Sequence, residues 1–388
     1  IVGMARTPIG GFQGVLKDVS GPELGSAAIR AALERSGVPA EDIDEVLMGC
    51  VLPAGMGQAP ARQASIGAGI PDATGCTTVN KMCGSGMKTT MLAHDLLVAG
   101  TNEVMVAGGL ESMSNAPYIL PKARSGQRLG HGQMLDHMFL DGLEDAFDKG
   151  TLMGVFAERT AKKYGFSREA QDKFAIRSLT RAKKAIEDGS FDAEVTPVTY
   201  KNRQGEVTVE QDEQPLKANL DKIPKLRPAF DKDGTVTAAN SSSISDGAAA
   251  LVMMRESTAK KRGLKPIARF LGHSSFAQEP AWFTTAPVSA IRKLLETVGW
   301  KADDVDLYEI NEAFAVVTMA AMKDLHLPSE KVNVHGGACA LGHPVGASGT
   351  RILVTLISAL QKYGKTRGVA SLCIGGGEAT AMAVEVMS

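Results

Sequence analysis

The chain has 388 residues, 44% of them hydrophobic, and a formal net charge of −1. This length suits two or three domains, and the near-zero charge provides no overall field that would favour nucleic acid or an anionic membrane surface. No apolar run reaches the roughly 18 residues that a membrane-spanning helix needs. Five cysteines without a CxxC pair argue against a disulfide framework and a structural zinc site, and favour a reducing compartment. The chain opens on a strand-like run, which is typical of a trimmed terminus, so a targeting segment cannot be judged.

The first third alternates strand and helix patterns. Helical periodicity covers 22–36, 61–68 and 84–98, and apolar strand patterns cover 45–51, 76–80 and 103–109. Pro22 in a first turn and Gly37 after a last turn are typical helix start and stop signals. Strands that alternate with helices predict a parallel sheet covered on both faces.

The alternation breaks at Ser114. Residues 114–150 are rich in glycine, proline, methionine and charge, an amphipathic helix pattern covers 167–189, and 201–228 is polar with scattered lysines. Strand character returns at 248–254. We therefore predict an inserted loop domain at 114–243, between an N-terminal half (1–113 plus 244–266) and a C-terminal half (267–388).

The last third repeats the first. Residues 35–51 align without a gap with 297–313, and the strand VMVAGGLES near Val104 corresponds, in the same order, to ASLCIGGGEA near Ala370. This predicts an internal duplication of one α/β unit. Two similar halves would pack about a pseudo-twofold axis and bring equivalent loops into one crevice, where α/β sheets usually bind ligands.

Cys83, in VNKMCGSGMKTT, lies between a strand pattern and a helix pattern. This arrangement resembles a nucleophile elbow, which exposes a side chain at the start of a helix. The helix N-terminus is expected to lower the pKa of the thiol from about 8.5. The alternative is a small buried hydrophobic residue, and this pattern alone leaves the two interpretations evenly matched. Cys50, Cys76 and Cys339 are predicted to be core or near-core residues.

Three further residues occupy similar turns or strand ends. His343, in GGACALGHPVGAS, lies at a helix N-terminus and is either a packed residue or a catalytic base. Cys373 ends a strand before three glycines, whose backbone N–H groups would be free to face an oxyanion. Asn311, in EINEAFA, is either a helix cap or an amide that positions a water or substrate. A cysteine with a histidine suits acyl transfer through a thioester, and a second cysteine suits removal of a proton beside a carbonyl.

The motifs VNKMCGSGMKT, NEAFA, GGACALGHPVGASG and CIGGGEA resemble those of the thiolases, which include acetyl-CoA acetyltransferases and 3-ketoacyl-CoA thiolases. ARTPIG, GGLESMSNAPY, LRPAF and NSSSISDGAAA also match, so the resemblance covers essentially the whole chain. It implies an α/β fold of two duplicated halves in α-β-α-β-α layers, with the inserted loop domain covering bound coenzyme A.

The resemblance also implies catalytic roles. Cys83 would be the nucleophile that accepts the acyl group, and His343 the base that activates it. Cys373 would be the second acid and base, acting on the α-carbon of acetyl-CoA. Asn311 would hold a water beside the histidine in one oxyanion hole, and the backbone N–H groups of Cys83 and Gly375 would form the other.

The remaining implied contacts concern the substrate pocket. Residues expected to contact the pantetheine arm or the acyl group are Ser242, Phe230, Phe314, Leu152, Met153 and Phe283. Leu152 stands where many thiolases have histidine, and Phe283 stands where methionine is common. Leu152 predicts a more apolar pocket and Phe283 another change in the pocket wall, and they leave the preferred acyl-chain length open.

We therefore predict a thiolase that transfers acyl groups through acyl-Cys83, in reversible condensation with acetyl-CoA or in thiolysis of a 3-ketoacyl-CoA. Its substrates would be acyl-CoA and CoA, with no permanently bound cofactor, no metal and no nucleic-acid partner. The resemblance implies a homodimer or homotetramer in lipid metabolism, located in the cytoplasm or, in a eukaryote, in the mitochondrial matrix or a peroxisome.

Two alternatives were weighed against this prediction. The first is a relative that performs decarboxylative condensation on a carrier protein. The resemblance implies a Cys-His-His site for such relatives, and Cys373 argues against this alternative. The second is a catalytically silent CoA- or lipid-binding protein on the same fold. The intact set of Cys83, Asn311, His343 and Cys373 argues against that interpretation.

Overall fold

Two mixed β-sheets organise the computed structural model, which describes residues 1–387. The strands are β1 (Gly3–Arg6), β2 (Gly10–Gly11), β3 (Glu45–Gly49), β4 (Gly75–Val79), β5 (Val104–Ser112), β6 (Tyr118–Ile119), β7 (Leu135–Asp136), β8 (Val198–Asn202), β9 (Gly205–Val209), β10 (Ser245–Met254), β11 (Ala268–Ala277), β12 (Leu307–Ile310), β13 (Arg367–Ile374) and β14 (Glu378–Val386). The helices are α1 (Gly21–Ser36), α2 (Pro60–Gly67), α3 (Ser85–Ala99), α4 (Met153–Tyr164), α5 (Arg168–Glu187), α6 (Glu213–Lys217), α7 (Glu256–Lys261), α8 (Ala286–Val298), α9 (Ala315–Asp324), α10 (Ala338–Leu341) and α11 (Ser348–Lys362).

Four strands of the first sheet have the same order and directions as the four strands of the second, which confirms the predicted duplication. The first has the order β1-β10-β5-β3-β4, and the second has the order β11-β14-β13-β12. In each, a parallel pair (β3 with β5, β12 with β13) is followed by an antiparallel strand (β10, β14). Gly37 and Gly299 end the equivalent helices α1 and α8 with φ values of 67° and 70°, a left-handed conformation that glycine adopts without strain.

Equivalent aspartates join the strands of each half. The Asp44 carboxylate accepts hydrogen bonds from the backbone N–H of Glu103 and Val104, at 2.7 and 2.9 Å, where β5 begins. The Asp306 carboxylate accepts from the two N–H groups at the start of β13, at 3.0 and 2.9 Å. These two aspartates were aligned by the sequence repeat, and the structure shows that each one fixes the start of a neighbouring parallel strand.

The three strands predicted by the alternating patterns of the first third, β3, β4 and β5, are parallel as predicted, but the complete sheet is mixed. Strand β10 pairs antiparallel with both β5 and β1, with Asp246 opposite Ser112. The chain leaves the sheet at the end of β5 and re-enters at the same end after the inserted segment, so β10 must run backwards. A parallel return would have required a crossover to the opposite end of the sheet.

Helices α3 and α11 lie between the two sheets and pack on each other. Helix α11 is buried from Ser348 to Leu360, because a helix in the central layer has no solvent-facing side. Helices α1 and α2 cover the outer face of the first sheet, and α8 and α9 lie on the outer side of the second. These five layers are the predicted α-β-α-β-α architecture.

Residues 114–243 connect β5 to β10 and contain α4 to α6 and two hairpins, β6–β7 and β8–β9. The predicted amphipathic helix is α5, and the Ser167 hydroxyl caps it by accepting from the N–H of Ala170 at 3.1 Å. Helix α4 and the β8–β9 hairpin were not predicted. The boundaries and the role of a separate loop domain stay a prediction.

No helix within residues 1–387 is both long enough and apolar enough to cross a membrane.

Candidate active site

A cavity of about 210 Å³ brings together all but two of the predicted site residues. Those that line it are Cys83, His343, Gly375, Ser242, Phe230, Phe314, Leu152, Met153 and Phe283. Cys373 and Asn311 do not line the cavity and are buried at the ends of β13 and β12. The cavity therefore collects residues from both halves and from the inserted segment.

Cys83 lies in a tight turn between β4 and α3. Met82 adopts a φ of 47°, a left-handed conformation that is uncommon for a residue with a side chain. The turn closes with hydrogen bonds from Gly84 N–H to the Lys81 carbonyl and from Ser85 N–H to the Met82 carbonyl, at 3.0 and 2.9 Å. The predicted elbow is therefore present, and it places the thiol against the cavity.

Burial raises the pKa of the Cys83 thiol to about 11. The backbone N–H groups of Gly375 and of Cys83 itself act in the opposite direction, and the Glu111 carboxylate adds to the increase. The expectation that the helix N-terminus would lower this pKa was wrong, because loss of hydration outweighs the backbone dipoles. Cys83 is therefore a neutral thiol at pH 7 and needs a base to become a nucleophile.

His343 is buried and held by one hydrogen bond. Its Nδ1 lies 2.6 Å from the Ser348 hydroxyl oxygen, which lies 3.0 Å from the Pro344 carbonyl. The carbonyl can only accept, so the hydroxyl donates to it and accepts from Nδ1–H. The proton of the neutral ring is thereby assigned to Nδ1, and Nε2 keeps its lone pair.

Within the described part of the chain, Nε2 of His343 has no hydrogen-bond partner. Burial, and next the positive charge of Arg351, lower the pKa of His343 to about 3. A neutral imidazole with a free Nε2 beside a cavity can accept a proton, as the interpretation of His343 as a base requires. No hydrogen bond joins Nε2 to the Cys83 thiol, so the two groups do not form an ion pair at rest.

Cys373 is fully buried at the end of β13, one residue before the strand ends. Burial, and next the charge of a Cys83 thiolate, raise the pKa of Cys373 well above its ordinary value. A Cys83 thiolate would therefore favour the neutral thiol form of Cys373. Both are neutral in the resting protein.

Asn311 follows β12, and its backbone N–H donates to the Ser371 carbonyl at 3.0 Å. Its side chain does not cap α9, whose first residue is preceded by Phe314 without a side-chain cap, so the helix-cap alternative was wrong. Neither the nitrogen nor the oxygen of the buried Asn311 amide has a partner among residues 1–387. A buried amide without protein partners is suited to holding a water or a substrate oxygen.

Glu312, next to Asn311, connects three segments. Its carboxylate accepts from the Ser178 hydroxyl at 2.7 Å, the Asn333 side-chain amide at 2.8 Å and the backbone N–H of Cys339 at 3.1 Å. These contacts join the inserted helix α5 to the segment that carries His343. The carboxylate therefore positions loops and is occupied by these partners.

Aromatic rings form the wall of the cavity. Phe230 from the inserted segment packs edge-to-face on Phe314 with ring centres 6.0 Å apart, and Phe283 packs similarly on Phe156 at 6.2 Å. Gly154 allows this approach, because a Cβ there would clash with the Phe230 ring. The inserted segment and the C-terminal half thus share one apolar wall.

Sequence reasoning missed Glu111, a fully buried carboxylate in β5. One oxygen accepts from the N–H groups of Val51 and Gly346, both at 2.9 Å, and the other accepts from Leu52 N–H at 3.1 Å. Glu111 therefore ties the loop after β3 to the segment that follows His343. Burial raises its pKa to about 7, despite these donors. Its signal in the sequence was a single carboxylate in an otherwise uncharged strand.

Ser348 and His335 were also missed. Ser348 orients the ring of His343, and its only signal was its position five residues later, at the start of α11. His335 lies in the same uncharged segment, buried, with Nε2 3.2 Å from the Tyr363 hydroxyl. Burial lowers the pKa of His335 to about 4, so it is a neutral packed residue.

Comparisons with known proteins agree with this geometry. Residues 1–257 match the family model for the thiolase N-terminal domain, and residues 264–386 match that for the thiolase C-terminal domain. The acetyl-CoA acetyltransferase of Escherichia coli is 51% identical over 388 residues, which cover 99% of this chain and 98% of that protein. Acetyl-CoA acetyltransferase IA of Candida tropicalis is 47% identical over 389 residues, covering 99% of this chain and 96% of the relative.

The fold also matches that of a solved relative. The crystal structure of the Bacillus anthracis acetyl-CoA acetyltransferase is similar with a TM-score of 0.97 and 44% identity, and the match covers 100% of this chain and 98% of that one. The predicted fold class, family and enzyme class are confirmed by these matches. The chain belongs to the thiolase family of acyltransferases.

Proposed function

We propose that this chain transfers an acyl group from acyl-CoA to Cys83 and then to the α-carbon of acetyl-CoA, or runs the reverse thiolysis of a 3-ketoacyl-CoA. The observation that carries the proposal is the neutral His343 ring, which has an unpartnered Nε2 and lines the same cavity as Cys83 and Gly375. A base, a nucleophile and a backbone donor on one apolar cavity suit acyl transfer through a covalent thioester.

In the first half-reaction, the Cys83 thiol attacks the thioester carbonyl carbon and passes its proton to Nε2 of His343. The backbone N–H groups of Gly375 and Cys83 interact with the Cys83 sulfur, so they are placed to stabilise the oxygen that becomes negative on that carbon. The carbon–sulfur bond of acyl-CoA then breaks, and the CoA thiolate takes the proton from His343. The product is acyl-Cys83 and free CoA.

The pKa values constrain when the proton moves. With a thiol pKa near 11 and an imidazole pKa near 3, forming a separated thiolate and imidazolium would cost on the order of 10 kcal/mol. Burial therefore disfavours both charged forms, and no hydrogen bond joins the two groups at rest. Proton transfer must therefore accompany the formation of the carbon–sulfur bond in the substrate complex.

In the second half-reaction, the Cys373 thiol passes its proton to Nε2 of His343, and the resulting thiolate takes the α-proton of acetyl-CoA. The carbanion attacks the carbonyl carbon of acyl-Cys83, and the bond from that carbon to the Cys83 sulfur breaks. The released Cys83 thiolate takes the proton from His343, so both cysteines end as thiols. Asn311 supports this step, because its unpartnered amide can hold a water that donates to the thioester oxygen of the enolate together with His343.

CoA thioesters are the proposed substrates. The protein's own side chains and backbone N–H groups perform every proposed step, without a permanently bound cofactor or metal. Ser242 is anchored by its N–H to the Ala313 carbonyl at 2.9 Å, which fixes it at the cavity for contact with the pantetheine arm.

Self-association as a dimer or tetramer is supported by β4, a sheet-edge strand whose residues are half-buried or exposed. Free cysteines support a reducing location such as the cytoplasm.

The test mixes the protein with acetoacetyl-CoA and CoA and follows the absorbance of the 3-ketothioester. Loss of absorbance only when both are present, abolished in Cys83→Ala, is the expected result. Thr297→Ala is the control, since Thr297 is exposed on α8 outside the cavity and the variant should keep native turnover. Native turnover in Cys83→Ala would refute the proposal.

A further inference from the structure

A group of metal-binding side chains lies outside the active site, where α3 meets the second sheet. His94 and Asp95 lie near the end of α3, and His273 lies on β11. Asp95 Oδ1 is 3.1 Å from His94 Nδ1 and 2.8 Å from His273 Nε2. All three ligand atoms lie within 4.8 Å of one another, and no other group of three such side chains occurs among residues 1–387.

The spacing fits a small divalent cation. Zinc binds imidazole nitrogen and carboxylate oxygen at about 2.0–2.2 Å, which places the ligand atoms of a tetrahedral site about 3.3 Å apart. The two separations that involve Asp95, 3.1 and 2.8 Å, are close to this value, and the two histidine nitrogens lie within 4.8 Å of each other. We propose that His94, Asp95 and His273 bind a divalent transition-metal ion, with Zn²⁺ as the best match to two imidazoles and one carboxylate. Water would complete the coordination.

The surroundings favour the ion over a simple surface ion pair. Asp95 pairs with the two histidines, and no lysine or arginine in the described residues competes for its carboxylate. The histidine side chains are 25% and 21% exposed, so an ion has access while the rings are held. The rings meet edge-to-face with centres 5.5 Å apart, and His94 also packs edge-to-face on Phe270.

The position of the site predicts an effect on stability and none on turnover. An ion here would cross-link α3, in the central helix layer, to β11, at the edge of the second sheet. Cys83 lies eleven positions before His94, about 16 Å along the helix axis. None of the three ligands lines the catalytic cavity. The proposal therefore does not depend on the proposed function.

The experiment measures Zn²⁺ binding to the full chain after removal of metals with EDTA. We expect one equivalent with micromolar affinity, because the outer ring nitrogens of His94 and His273 have no hydrogen-bond partner in residues 1–387 that would strengthen the ligands. His94→Gln and His273→Gln should each bind at least tenfold more weakly. His131→Gln, an exposed histidine away from the cluster, should bind like the native protein.

Two further readouts identify the site. Saturating Zn²⁺ should raise the Tm of the native protein and of His131→Gln by a few degrees, and should leave the Tm of His273→Gln unchanged. This comparison within each protein separates metal binding from any stability that the variant itself loses. Co²⁺ should produce visible absorption without a thiolate charge-transfer band, and kcat should not change.

The proposal is wrong if His273→Gln binds Zn²⁺ as tightly as the native protein, or if the native protein does not bind it at millimolar concentration. A thiolate band with Co²⁺ would place the ion on a cysteine and would equally overturn the assignment.

Discussion

Removal of the Ser348 hydroxyl is the most direct test of how His343 is prepared for catalysis. The hydroxyl is the hydrogen-bond partner of Nδ1, and Nε2 has none among the described residues. In Ser348→Ala the ring therefore keeps no polar partner. The neutral form with its proton on Nε2 then competes with the form that has a free Nε2 lone pair, and only the second can accept the thiol proton.

The size of the effect follows from the lost hydrogen bond. Leaving a buried N–H without a partner costs about 1–3 kcal/mol. Since 1.36 kcal/mol corresponds to a factor of ten in rate, acyl transfer should slow by about 5- to 160-fold. KM should change little, because Ser348 does not line the cavity.

The assay is exchange of labelled CoA into acetyl-CoA, which reports acyl transfer to Cys83 without condensation. Ser358→Ala is the control, because Ser358 lies on the same helix and is buried, and its hydroxyl has no partner in residues 1–387. That variant should keep native exchange. Exchange in Ser348→Ala within twofold of the native rate, or an equal loss in Ser358→Ala, would refute the assignment of the Nδ1 proton.

The remaining predictions concern the cysteines, pH and the pocket. Cys373→Ala should still acquire an acyl group on Cys83 from acetyl-CoA, detectable by mass spectrometry, but should not condense it; normal carbon–carbon bond formation would contradict its role as the base. Alkylation of Cys83 by iodoacetamide should accelerate about tenfold per pH unit from pH 7 towards its pKa of about 11, because only the thiolate reacts, and a plateau near pH 7 would instead indicate a resting ion pair. His335 has a pKa of about 4 in the fold and an ordinary value of 6.5, so the unfolded chain binds more protons between these values and stability falls as pH falls. His335→Gln should therefore lose less stability than the native protein between pH 7 and pH 4 in urea unfolding, and equal losses would contradict this. Leu152→His should lower activity on longer 3-ketoacyl-CoA substrates more than on acetoacetyl-CoA, and the same relative rates across a chain-length series would show that this wall does not select the acyl group.

Much of the fold was predictable, because it is encoded in local patterns and in a repeat. The periodicity of the sequence predicted α1, α3 and α5, and Gly37 predicted the end of α1. The aligned aspartates Asp44 and Asp306 indicated the duplication. The antiparallel course of β10 was not readable, since strand direction depends on the end of the sheet at which a distant segment returns.

The candidate site, too, was predictable in part. Cys83, Asn311, His343 and Cys373 were found from motifs, because each lies in a distinctive run of glycines and small residues at a strand end or turn. Their protonation was not predictable, since the pKa of a group depends on what surrounds it in space. Burial reversed the expected direction for the Cys83 thiol.

The sequence by itself indicated the duplicated α/β architecture and the candidate reacting groups. Only the tertiary structure decided which proton each group holds and what fixes its position. Ser348 sets the tautomer of His343, and Glu111 ties the segment after that histidine to a loop more than two hundred residues earlier. The same is true of His94 and His273, which lie on two distant segments and meet only because α3 packs against the second sheet. Hydrogen bonding and desolvation act through space, and their effects become defined only when the chain has folded.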